Sequence, residues 1–337
     1  MYSHQSNIVF LFSGQGSHYR DMGKELYASN TVFKNSIDRA DSIIYRNTGV
    51  SLVEELYKYD EQVFDNVLIT HPAIVAVELA MTDVMTDHGI VPTAVAGVSL
   101  GEFSACAAAG IRSQEDVLIM SIEQAKLISR KVEEGGMTVV INPKNALLTD
   151  YLKDADLYDQ CINFNGCFTV SGLKQALDRF DELLGENGIV YQRLDVEYPF
   201  HTPFREVVML FWNHDESVMT DRSSKEVTMY SAMTHSTVDS SLSGDFFWDV
   251  ISKPYDFPAL VRQMDKDLSD PHYIDLGPSG TMATFMKYIK GTSTDTPVAT
   301  AILTPHHQAI QKLENFQREI FTESRKTDTH RRHSKTT

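Results

Sequence analysis

Gly97-Val98-Ser99-Leu100-Gly101 follows an apolar run over residues 90–96 and precedes the alanine-rich stretch Ser104-Ala105-Cys106-Ala107-Ala108. Together these place Ser99 where a buried strand turns sharply into a helix, the layout of a nucleophile elbow. A serine hydroxyl is a weak nucleophile at neutral pH, and such a turn exposes it beside backbone N–H groups able to hold an oxyanion. The flanking glycines let two backbones approach closely. A plain strand-to-helix turn would use the same five residues, so the surroundings decide.

Outward from the elbow, residues 8–12 form a short apolar strand that runs into Ser13-Gly14-Gln15-Gly16-Ser17. That loop has neither the lysine of a phosphate loop nor the third glycine of a dinucleotide fingerprint, which argues against a nucleotide site. Thr70-His71-Pro72-Ala73 opens a long apolar helix reaching about residue 85, with Pro72 expected in its first turn. Over 114–131 a helical face of Val117, Met120, Leu127 and Ile128 is apolar except for Gln124. After Glu133-Glu134-Gly135-Gly136 the pattern changes to short strand-like runs at 137–141, 161–164, 169–171 and 190–196. A helix over 202–212, a strand over 227–230 and Tyr273-Ile274-Asp275-Leu276-Gly277-Pro278 then return the chain to the first layer. The fold expected is α/β: a large domain from 1–134 and 203–320, an inserted α+β subdomain over 135–202, and a disordered tail at 321–337.

A formal charge of -16, with five of the basic residues concentrated after residue 322, gives a body that repels nucleic acid. Cys106, Cys161 and Cys167 are odd in number and lack metal-type spacing, which points to a reducing compartment, read as the cytoplasm. No run has the length of a membrane span or the basic leader of a signal sequence. The expectation is a cytoplasmic monomer with no membrane partner, no nucleic-acid partner and no metal.

Ser99 needs a base. Most of the 12 histidines lie in chain ends or polar loops. His201 instead follows the strand-like 190–196 and is held before Thr202-Pro203, a fixed position suited to a general base. His71 is second by the same reasoning. No single Asp or Glu stands out as the acid of a triad, so a Ser-His pair oriented by a main-chain carbonyl is an open alternative.

Phe12-Ser13-Gly14-Gln15-Gly16-Ser17, Thr70-His71-Pro72-Ala73, Gly97-Val98-Ser99-Leu100-Gly101-Glu102, Asn163-Phe164-Asn165, Tyr198-Pro199-Phe200-His201 and Leu276-Gly277-Pro278 occur in the order and at the intervals of malonyl-transferase-like acyltransferases. The resemblance spans about residues 7–315. It looks most like the discrete trans-acting proteins of polyketide synthases whose modules lack their own acyltransferase, and among these the acyl hydrolase, or proofreading, branch. The resemblance implies an α/β-hydrolase-like large domain, a ferredoxin-like insert and a Ser99-His201 dyad. It further implies an oxyanion hole from the Gln15 and Leu100 amides, and a carbonyl near Val250 orienting the histidine. The substrate would be an acyl thioester on the phosphopantetheine of an acyl carrier protein, with no cofactor of the enzyme's own. His71 and Asn163 would line the cleft.

Two departures from the family pattern matter. Val98 stands where a histidine usually precedes the nucleophile. Gln124 stands where malonyl transferases carry an arginine that pairs bidentately with the free carboxylate of malonate. A hydrogen bond to a charged group is worth about 1.5–3 kcal/mol, and an unpaired buried carboxylate costs about 3–5 kcal/mol. Malonyl selection is therefore expected to fall by about 10²-fold. The resemblance then implies a hydrolase that clears acyl chains from carrier proteins, with a discrete loading acyltransferase as the alternative. A catalytically silent docking subunit is disfavoured by the presence of both Ser99 and His201.

Overall fold

The computed structural model describes residues 7–59, 64–141, 151–152, 156–210, 227–239, 242–291, 298–306 and 308–318. The tail expected at 321–337 lies outside them.

Strand β1 (Ile8–Phe12) is apolar at every position and buried from Val9 onward, because both of its faces are covered. Helices α1 (Lys24–Ser29), α2 (Thr31–Thr48) and α3 (Leu52–Tyr57) lead to α4 (Val67–Asp87). Asn66 caps α4 by accepting from the Leu68 N–H, so the helix begins before Thr70 and Pro72 lies inside it instead of in its first turn. A proline removes one backbone bond; α4 tolerates this because it is buried on nearly all sides. It is also the one helix, among the described residues, long and apolar enough to cross a membrane, and 78% of the qualifying window is buried inside the protein.

Strand β2 (Ala94–Gly97) pairs in parallel with β1, and α5 (Gly101–Ala108) and α6 (Gln114–Lys131) follow it. Ser113 and Asp116 close a capping box at the start of α6. The chain then builds a separate four-stranded antiparallel sheet from β3 (Gly135–Ile141), β4 (Tyr158–Phe164), β5 (Cys167–Leu173) and β6 (Val190–Arg193), with α7 (Lys174–Glu186) packed on it. Its order, β4-β5-β3-β6, is that of a ferredoxin-like sheet.

The expected helix at 202–212 is reduced to α8 (Arg205–Met209), and residues 211–226 are outside the description. Then come β7 (Thr228–Ser231), β8 (Ser236–Thr237), α9 (Gly244–Ser252), α10 (Phe257–Asp267), β9 (His272–Asp275), α11 (Thr281–Lys290), β10 (Ala299–Ala301) and α12 at 309–318. The large sheet runs β10-β9-β1-β2-β7-β8, parallel except for the short edge strand β8. Its two apolar faces, one centred on Phe10, Phe12 and Phe103 and the other on Val9, Leu11 and Phe257, are covered by helices. The C-terminal ends of β1 and β2 point toward the small sheet, where an α/β sheet places its ligands.

Candidate active site

Ser99 adopts φ +56°, a left-handed conformation that a non-glycine residue accepts only when its surroundings hold it there. They do. A Cβ on Gly97 would meet the Glu102 nitrogen at 2.4 Å, and one on Gly101 would meet the Phe12 carbonyl oxygen at 2.4 Å. Only glycines let strand, elbow and α5 close this tightly. Gly14 is similarly confined, with a Cβ placed 2.9 Å from the Val98 oxygen, so the loop after β1 lies directly against the elbow. The same Gly14 Cβ would fall 3.5 Å from the Leu100 nitrogen, so the loop that carries Gln15 meets the elbow at Leu100. Among the described residues neither the Gln15 nor the Leu100 amide donates to another backbone carbonyl.

His201 Nε2 lies 2.9 Å from Ser99 Oγ. The other ring nitrogen, Nδ1, lies 2.6 Å from the Lys253 carbonyl oxygen, which can only accept, so Nδ1 carries the hydrogen and Nε2 offers its lone pair to the serine. Here the expectation for Val250 is corrected. Val250 is buried within α9, whereas Lys253 is past the helix end in extended conformation, φ -92° and ψ 157°, which frees its carbonyl to turn toward the imidazole. The His201 N–H bonds the Ile251 oxygen at 2.9 Å, fixing main chain and ring to one segment. Burial pushes the His201 pKa down to about 4, partly offset by the Lys253 hydrogen bond. The ring is therefore neutral, as a general base must be.

Behind His201 the Tyr255 ring stands edge-on at 5.1 Å. Tyr255 donates to Asn163 Oδ1 at 2.7 Å, and Asn163 Nδ2 donates to Thr169 Oγ1 at 3.0 Å. Asn163, Val98, Gln15, Ser99 and His201 all line a cleft of about 430 Å3 between the two sheets.

His71 and Gln124 do not reach that cleft. Both are at 0% exposure, and their placement corrects the expectation that they face the acyl group. Gln15 Nε2 is 2.9 Å from His71 Nδ1, His71 Nε2 is 3.3 Å from Gln124 Oε1, and Gln124 Nε2 donates to the Phe247 oxygen at 2.8 Å. Since the Phe247 carbonyl accepts, Gln124 must turn its own oxygen toward His71. His71 then donates from Nε2 and accepts from Gln15 at Nδ1. The chain closes only with a neutral imidazole, and burial holds the His71 pKa at about 4. Gln124 is thus satisfied at both ends behind the wall, two hydrogen bonds from the Gln15 side chain.

Sequence reasoning missed Lys253, Tyr255 and Thr169, none of which carries a motif. Among the described residues no group of three or more His, Cys, Asp and Glu is placed to hold a metal.

A family model for the acyl transferase domain matches residues 9–330. The chain belongs to the acyl transferase domain family. This acyl transferase family member is 35% identical over 319 residues to the polyketide biosynthesis acyltransferase homolog PksD of Bacillus subtilis, covering 92% of this chain and 95% of that one. It is 31% identical to the homolog BaeD of Bacillus velezensis, covering 94% and 97%. Its fold matches a loading acyltransferase from the avermectin modular polyketide synthase, with a TM-score of 0.82 at 20% identity and coverage of 93% and 99%. MCAT from Streptococcus pneumoniae matches with a TM-score of 0.73 at 22% identity, covering 93% and 99%.

Proposed function

We propose that this chain is a trans-acting acyl hydrolase that removes simple acyl groups from the phosphopantetheine thiol of acyl carrier proteins in polyketide biosynthesis. One observation carries the reading: among the described residues no lysine or arginine lines the cleft that holds Ser99. Its histidines, His18 and His201, are both pushed toward the neutral form by burial, and its acid, Asp195, repels a second negative charge. A dicarboxylic acyl group such as malonyl would enter without a counter-charge, whereas an uncharged chain meets Val98, Met137, Val139 and Phe200 on the wall. Chain extension needs the carboxylated unit, so a site unfit for it suits removal better than loading.

In this mechanism Ser99 Oγ attacks the thioester carbonyl as His201 Nε2 takes its proton. The Gln15 and Leu100 amides hold the oxyanion, and collapse expels the thiol with the proton from His201. Water then attacks the acyl-serine, giving its proton to His201, which returns it to Ser99 Oγ as the acid leaves. The names of the two Bacillus relatives support the polyketide context.

Acetyl- and malonyl-carrier protein, each mixed with enzyme and an empty second carrier, test the reading. Free acetate is expected to form about 10²-fold faster than malonate, with little acyl transfer to the second carrier. Efficient malonyl transfer with slow release of acid would overturn it in favour of a loading acyltransferase.

A further inference from the structure

The chain has 46 Asp and Glu against 30 Lys and Arg. Beside the cleft, nevertheless, lies a second hollow of about 830 Å3 whose walls carry Lys287, His306 and Lys312 and, among the described residues, no Asp or Glu. The two cavities share Ser279, Thr284 and Pro305 as wall residues, so one opens beside the other. Gly280, Ala283 and Ala299 keep the second hollow free of bulky side chains.

One group in it lacks a counter-charge. Lys312 Nζ donates to the neutral Thr304 Oγ1 at 3.1 Å, and neither Lys312 nor Lys287 has an acidic partner within ion-pair distance among the described residues. Partial burial lowers the Lys312 pKa, the mark of a cation short of counter-charge. An ammonium with no acid beside it, on a wall that also carries Lys287 and His306, is satisfied by a group with a negative charge and several acceptor oxygens. A phosphate ester has both.

We infer that this hollow is a phosphate-ester subsite, holding the phosphate at the far end of a pantetheine arm while the thioester lies at Ser99. The inference rests on the reading of the substrate as a pantetheine thioester, and it is indifferent to whether water or a second thiol resolves the acyl-enzyme. The same chemistry comes from two sources: the phosphodiester that joins the arm to a carrier protein, or the phosphates of coenzyme A.

The test measures acylation of Ser99 by mass spectrometry in the intact protein and in Lys287→Ala, Lys312→Ala and the double variant, with folding checked by circular dichroism. Three acetyl donors are used: acetyl-carrier protein, acetyl-coenzyme A and the phosphate-free N-acetylcysteamine thioester. For each lysine removed, kcat/KM with the phosphorylated donors should fall about tenfold relative to the phosphate-free donor, and Lys312→Arg should recover most of the loss. A loss confined to acetyl-coenzyme A keeps the subsite and assigns it to that source; a loss confined to the carrier keeps it and assigns the carrier. Equal losses on all three donors, or no loss on any, would overturn the inference. If the acyl-enzyme forms normally but yields transfer instead of free acid, the hydrolase reading fails and this one stands.

Discussion

Two buried imidazoles end on main-chain carbonyls around the same helix, α9, and do different work. His201 joins Ser99 to Lys253, and His71 joins Gln15 and Gln124, which ends on Phe247. Burial pushes both rings down to about 4. One is 6% exposed and meets the cleft; the other is at 0%, packed between Phe103 and Phe200, and its nitrogens meet only amides. Residue type, burial and basicity are therefore shared, and the neighbour assigns the role. Beside a hydroxyl the neutral ring can accept a proton. Between two amides it holds the Gln15 side chain, and with it the loop whose backbone amide the proposed mechanism sets against the oxyanion.

The largest expected effect separates them outright. Ser99→Ala or His201→Ala should lower acyl-enzyme formation by about 10⁴-fold or more, as when either member of a nucleophile-base pair is lost. Intact mass after treatment with an acyl thioester checks this, and an acylated Ser99→Ala protein would remove the serine from its assigned place.

A smaller loss belongs to the second chain. His71→Ala should reduce kcat about tenfold with little change in KM, less than the 10²–10³ that follows deletion of an oxyanion donor, because the amide is displaced and not removed. His71→Gln should restore most of it, since a glutamine can accept from Gln15 and donate to Gln124 in the same directions. Gln124→Arg should resemble His71→Ala: a guanidinium has no acceptor for the imidazole N–H. The malonyl-to-acetyl ratio of that variant is the sharper readout. It should stay within about threefold of the parent, and a rise of more than one decade would bring position 124 to the acyl chain and merge the two chains into one site.

The smallest effect is in pH dependence. A base with its pKa near 4 stays neutral on acidification, so acylation should change by less than about twofold between pH 8 and pH 5, where an ordinary histidine would lose more than tenfold. Stability behaves differently. Between the unfolded value of 6.5 and about 4 the unfolded chain binds more protons than the folded one, so both rings cost stability as pH falls through that window. His71→Gln should flatten part of the acid loss in Tm and leave the activity profile unmoved; a shift in the activity limb would make His71 a proton-transfer group.

The elbow was legible because its constraints are local. Apolar strand, glycines and alanine-rich helix are adjacent in sequence, and steric closure around Ser99 follows from them. The small sheet was legible for the same reason, its period-two runs being bounded by turn residues. His201 could be ranked from its place after such a run, but its partner could not. Lys253 contributes only a carbonyl, which every residue has, and the feature that frees it is the end of α9. Gln124 was misplaced because an alignment gives a position and not a direction. The face of α6 was read correctly as buried, and only the three-dimensional meeting of Gln15, His71 and Gln124 shows that the amide's valences are filled before any substrate arrives.

The way the insert is attached has a mechanical consequence. The chain enters the small sheet at Gly135 and leaves it near Glu197, and the Gly135 N–H bonds the Glu197 oxygen at 2.8 Å, pinning both crossings together. His201 comes after that pin and is anchored by Ile251 and Lys253, so nucleophile and base ride on one body. The far edge of the small sheet is moored to that same body, the Ile162 N–H bonding the Tyr255 oxygen at 2.9 Å, so the insert roofs the cleft as a fixed vault and takes no part in setting the serine-to-imidazole spacing.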